Sequence, residues 1–187
     1  DKYYNLRWSG SLVSGTGAQD EFGIDDIEVI ANPTTNVVAF DGIAEDFVLQ
    51  GNANLSADLS VQNRLIFNGG KLAVKDITLT IAGNVTNTTA NGLIGGSTSN
   101  VVVRGTKNPI LNFDQTTVGT SNVLQNFSVI GANANTVYLA NALVVNQLLA
   151  IDELQVLDLG QNTLNGTLNS ILNNGLIKTQ NTTTTPF

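Results

Sequence analysis

The run TLTIAGN, Thr78 to Asn84, is a short β-type strand closed by glycine, and it recurs along the chain. VVVRGT carries Gly105, FSVIGA carries Gly131 and QVLDLGQN carries Gly160. From Gly83 onward these glycines recur at intervals in the twenties. A period of that size, built from short strands and tight turns, is the pattern of a β-solenoid. Each coil supplies two or three strands that stack on the coil below. Val, Ile, Leu and Phe take the inward positions. Gly or Asn takes the corners, because both tolerate a left-handed backbone. Asparagines at equivalent corners can also join coil to coil through hydrogen-bonded ladders. The alternative reading of the same strands is an antiparallel sandwich with irregular hairpins. Helical periodicity is almost absent. The best helical run is NQLLAIDELQVL, Asn146 to Leu157, and β-type runs flank it on both sides.

Composition fits this picture. Of 187 residues, 42% are hydrophobic, so a buried core is possible. Only 12% are charged, against about 25% in ordinary domains. Solubility therefore rests on Asn, Thr, Ser and Gly. Net charge is −7, and the eight Lys and Arg are scattered, so no basic stripe exists to bind nucleic acid. No apolar run reaches the roughly 18 residues of a membrane helix, so no membrane insertion is expected. The chain begins at Asp1 and ends in NTTTTPF, and it reads as a segment of a longer protein.

Upstream of the repeats the pattern changes. Tyr3 to Trp8 reads as one strand, and EFGIDDIEVIA reads as a second after a Ser/Gly loop. Ile24 and Ile27 break strict alternation, which predicts a bulge near Asp25 and Asp26. Two strands joined this way read as the closing hairpin of a β-sandwich. The expected division is 1–33 as the end of a lectin-like sandwich, 34–60 as a linker or cap, and 61–187 as solenoid. The fold class is thus all-β: a parallel β-solenoid (β-helix) preceded by a sandwich hairpin.

Two resemblances extend this reading. The stretch from LRWSGS to IDDIEV resembles the last hairpin of concanavalin-like or MAM-like sandwiches. LTIAGNVTN, NVVVRGTKNPILNFDQTT and LDLGQNTLNGTL resemble β-solenoid repeats of large Bacteroidetes surface proteins. That resemblance implies an extracellular or cell-surface protein, exported by a type IX system, with roles in adhesion, surface coating or gliding. Its partners would be the host's secretion or surface machinery, with glycan as a further possibility.

Each candidate site has a plainer reading beside it. Asp20, Glu21, Asp25, Asp26 and Glu28 crowd into one short stretch. They read either as a charged, solvated strand edge or as a Ca²⁺ site built on Asp20, Asp25 and Asp26, since Ca²⁺ takes six to eight oxygens. No other cofactor is expected. The absence of His and Cys removes Ser-His-Asp, Cys-His and ordinary zinc chemistry. Carboxylate chemistry remains, with Asp114, Asp152, Glu153 and Asp158 as acid–base candidates for a β-helix lyase or glycoside hydrolase. Few aromatics accompany them, and no catalysis is the expectation. Six N-x-[ST] sequons, including Asn165, read as turn chemistry. Trp8 reads as sandwich core. Thr78, Thr80, Thr86, Thr88 and Thr89 do not recur at the repeat period, which argues against an ice-binding array. The expected function is a structural stalk or adhesin segment, with a Ca²⁺-dependent carbohydrate-binding module as the alternative.

Overall fold

The computed structural model describes residues 24–29 and 36–182. Tyr3 to Trp8, the expected first sandwich strand, lies outside the described residues, as does Asp20. The described chain is all-β and winds through about seven turns of a parallel solenoid.

Three sheets form the walls. The largest runs β1 (Ile24–Val29), β3 (Gly42–Leu49), β5 (Leu59–Phe67), β7 (Thr78–Ile81), β10 (Asn100–Arg104), β12 (Val123–Ile130), β14 (Leu143–Ile151) and β16 (Leu164–Asn165), with β8 (Asn84–Asn87) on β5 and β17 (Ser170–Asn173) on β14. A second stacks β2 (Asn36–Val38), β4 (Ala53–Leu55), β6 (Leu72–Ala73) and β9 (Leu93–Ile94). The third stacks β11 (Ile110–Leu111), β13 (Asn135–Leu139), β15 (Gln155–Asp158) and β18 (Leu176–Lys178). Every pairing among these strands is parallel.

Register makes the repeat explicit. Ile24, Ala44, Val61, Ile81, Val103, Val129, Ile151 and Asn173 stand in one ladder, one member per coil. The coils are unequal: Ala44 to Val61 is the shortest step, and Val103 to Val129 the longest. Strands about 4.8 Å apart place like side chains on like. From Ala44 to Ile151 the members of this ladder are sealed from solvent. A parallel ladder, Leu59, Leu79, Val101, Phe127 and Leu149, is equally buried. Phe47, Leu49, Leu65 and Phe67 fill the early coils, and Val137, Leu139 and Leu157 the later ones. Each such side chain contributes roughly 1.5–3 kcal/mol of burial.

The glycine repeat is real for three of its four members. Gly83, Gly105 and Gly131 each lie two positions past Ile81, Val103 and Val129 of the same ladder. A Cβ at Gly83 would stand 2.0 Å from the carbonyl oxygen of Asn63 in the coil below, so the corner closes only on hydrogen. Gly105 adopts φ +102°, a backbone that L side chains rarely take. Gly160 differs. It follows β15 in the third sheet, so the interval from Gly131 to Gly160 spans a coil and an extra side.

Two expectations need correction, and the best helical run, Asn146 to Leu157, is strand like its flanks. It forms most of β14 and the start of β15, joined by a turn in which Leu154 takes φ +67°. Residues 36–60 are not a separate linker or cap, since β2 to β4 and the start of β5 are regular coil strands. The bulge expected at Asp25 and Asp26 is absent from the pairing of β1 with β3, which keeps a constant offset from Ile24 to Val29. The irregularity appears one coil on, where the pairing of β3 with β5 shifts register between Ala44 and Asp46, and Ala44, Asp46 and Phe47 are all buried. IDDIEV stands in register with AEDFVL in parallel pairing; the other strand of the expected hairpin lies outside the described residues.

Candidate functional site

The acids that the sequence offered for catalysis are held in local networks. Asp114 follows Phe113, which bridges Leu93 in the coil below. Its side chain is 4% exposed, and Oδ1 accepts from Lys71 Nζ at 2.5 Å. Thr116 adds its hydroxyl at 2.8 Å and its backbone N–H at 3.1 Å. Burial opposes ionisation of this carboxyl. The hydrogen bonds, led by that from Lys71, outweigh burial and hold it at about 2. A carboxylate so stabilised is poorly suited to be a general acid or base near neutrality.

Asp114 also roots the excursion 115–120, which makes its coil the longest. Ser121 Oγ donates to the Asp114 carbonyl, and Asn122 Oδ1 accepts from Gly119 N. Gln115 Nε2 and Asn122 Nδ2 both donate to Ala142 O in the next coil. Val118 at the tip is 70% exposed.

Asp152, Glu153 and Asp158 lie elsewhere. Asp152 Oδ2 accepts from Gly131 N at 3.3 Å, and Asp158 Oδ1 from Gly160 N at 2.9 Å. Asp152, Glu153 and Leu154 line a shallow depression of about 340 Å³ with Gly131, Ala132 and Asn174. Among the described residues no aromatic ring borders it. Asp114 belongs with the second sheet and Asp152 with the end of β14 in the first, so the structure does not bring these two candidates to one cleft. Phe67, Phe113 and Phe127 are fully buried, whereas Tyr138 on β13 is exposed.

Two constellations were not read from the sequence. Asp46 pairs with Arg64 of the next coil and accepts from Asn63 Nδ2 at 3.0 Å. The Arg64 hydrogen bond keeps its carboxyl below the usual range, against the opposing effect of burial. Asn141 is the hub of a corner ladder. Its Nδ2 reaches Asn112 Oδ1 at 2.7 Å, Asn91 Oδ1 at 3.1 Å and Phe113 O at 2.5 Å, while its Oδ1 accepts from Phe113 N. Asn126 and Asn100 form a second ladder at 2.6 Å. The general expectation of asparagine ladders holds; their membership was not legible.

Asp25 and Asp26 are placed by backbone register, with Asp26 opposite Asp46. Among the described residues, no group of three or more His, Cys, Asp or Glu is arranged to hold a metal ion. No helix among them is long and apolar enough to cross a membrane. Comparison with known proteins found no matching family model, curated protein or solved structure. The chain is thus defined by its fold class, a parallel β-solenoid.

Proposed function

We propose that this chain is a structural, non-catalytic segment of a bacterial surface protein, a stiff spacer or adhesin stalk. The observation that carries the reading is the unbroken inward ladder from Ala44 to Ile151, which fills the space between the walls with side chains. Supporting it, the acids best suited to catalysis are tied to neighbours, Asp114 above all. Stacked coils resist extension because many inter-strand hydrogen bonds share the load along one axis. The resemblance to Bacteroidetes surface proteins adds the extracellular location and the host's secretion or surface machinery as partner.

The test is single-molecule extension of the chain between terminal handles, paired with a depolymerisation assay on a polysaccharide panel. A stalk unfolds in coil-sized steps and leaves every polysaccharide intact. Turnover that disappears in Asp152→Asn would overturn the proposal in favour of a carbohydrate-active enzyme.

A further inference from the structure

The chain contains four Asn-Gly pairs: Asn68–Gly69, Asn91–Gly92, Asn165–Gly166 and Asn174–Gly175. In this dipeptide the glycine nitrogen can attack the asparagine Cγ. The N–Cγ bond forms, the Cγ–Nδ2 bond breaks, and ammonia leaves a five-membered succinimide. Water then opens the ring at either carbonyl, giving aspartate or isoaspartate. The only co-reactant is water. In a folded chain the rate depends on whether the glycine nitrogen and the asparagine side chain are free to meet.

At three of the pairs they are restrained. Gly69 N donates to Thr89 Oγ1 at 2.7 Å. Asn174 N and Gly175 N both donate to Ile151 O, at 2.8 and 3.2 Å. Asn91 is fixed at φ +57° with its Oδ1 bound by Asn141, and Gly92 is buried. Asn165 differs in exposure and hydrogen bonding, although Gly166 lies against the Val145 carbonyl, where a Cβ would stand 1.7 Å from the oxygen. It ends the two-residue strand β16, and Asn165, Gly166 and Thr167 are all exposed. Among the described residues Gly166 N has no hydrogen-bond acceptor, and Asn165 Nδ2 makes one long bond, 3.3 Å to Thr163 Oγ1. The segment that follows, 166–169, carries no regular structure.

We propose that Asn165 is a site of spontaneous modification, deamidating through the Gly166 nitrogen ahead of the other three pairs. The product adds a negative charge, and in the isoaspartyl form an extra backbone methylene, between β16 and β17. That link holds the last described coil, where low local stability is expected.

The test incubates the full chain at mildly alkaline pH and follows each Asn-Gly peptide by mass spectrometry, with isoaspartyl methyltransferase labelling as a second readout. Asn165 is expected to convert about tenfold faster than Asn68, Asn91 or Asn174, the effect of a barrier lower by about 1.4 kcal/mol. In urea the four rates should converge, which assigns the difference to the fold rather than to the flanking residues. Asn165→Gln should remove the fast phase without changing the melting temperature. Conversion of any other pair as fast as Asn165 in the folded chain overturns the proposal, as does a tenfold ranking that persists in urea.

Discussion

Lys71 Nζ and Asp114 Oδ1 lie 2.5 Å apart although the residues are 43 positions apart and a whole coil, that of β9, runs between them. The lysine side chain leans along the solenoid axis and clamps three consecutive turns. Removing one partner of a buried pair leaves the other charge without compensation, which typically costs about 3–5 kcal/mol. Because Lys71 is 30% exposed and can rehydrate, the two sides are unequal. Lys71→Ala, which strands the buried carboxylate, is expected to cost about 3 kcal/mol, and Asp114→Ala about half of that. A double-mutant cycle by urea denaturation checks this. Additive losses would show that the pair is not coupled.

Acid should find the same clamp. The carboxyls of Asp46 and Asp114 both titrate lower in the folded chain than their ordinary value of 3.8. The unfolded chain therefore binds more protons as pH falls, and stability present above that value is lost on the way down. For Asp114 the window runs from 3.8 to about 2 and corresponds to about 2 kcal/mol. Melting temperature should fall across that interval by about 4–8 °C from this group. Asp114→Asn should flatten the lower part of the profile. An unchanged profile in that variant would place the acid sensitivity elsewhere.

The asparagine corner gives a sharper test of hydrogen bonding. Asn141 donates to three oxygens and accepts from Phe113 N. Asn141→Ala strands these groups at a half-buried corner, at an expected cost of about 1–3 kcal/mol. Asn141→Asp keeps the acceptor for Phe113 N but turns a carboxylate toward the oxygens of Asn91, Asn112 and Phe113. That variant should be least stable near neutral pH and recover partly when the carboxyl is protonated. Thermal melts at the two pH values distinguish it from a purely steric defect, which would show no recovery.

How much of this was legible in sequence follows from what repeats locally. Gly83, Gly105 and Gly131 mark one corner at coil intervals, so parallel stacking and its period could be read. Gly160 marks another corner with the same residue, and nothing local tells the two apart. The bulge read at Asp25 and Asp26 has its counterpart one coil on, where β3 shifts register against β5 between Ala44 and Asp46. Its recurrence as AEDFVL was the available signal, since an apolar–acid–Asp–apolar–x–aliphatic pattern returns one coil later, at Ala44 to Leu49. The run from Asn146 to Leu157 suits a helix by propensity, and tertiary pairing with β12 decides for strand. FDQTT singles out Asp114, but its partner Lys71 lies two coils away. Such a contact depends on summed coil lengths of unequal size and cannot be read from spacing.

Core ladders predict a gradient of mutational cost along the axis. Leu149 and Ile171 occupy successive rungs of one ladder, yet Leu149 is fully buried and Ile171 is 54% exposed. Leu149→Ala should cost about 2–5 kcal/mol through lost burial and an unfilled cavity. Ile171→Ala should cost less than about 1 kcal/mol, because little of its surface leaves water. Chemical denaturation of both variants measures the difference. Equal costs would mean that the last rung is covered in solution by another polypeptide.

Calcium decides what the acidic motif near the start of the chain does. Asp26 stands in register with Asp46, whose carboxylate is already engaged by Arg64 and Asn63 and is not free to complete a coordination shell. Six to eight oxygens are needed. The stalk reading therefore expects the melting temperature in millimolar Ca²⁺ to match that in chelator. The measurement is a pair of circular-dichroism melts on the full chain. A cation held 100-fold tighter than its free concentration would add about 2.7 kcal/mol, well above the noise of a melt. A rise of that size, abolished by Asp25→Ala together with Asp26→Ala, would show a Ca²⁺ site at β1. It would also favour a glycan-binding role over a plain spacer, because a cation fixed beside an exposed wall can bridge to sugar hydroxyls.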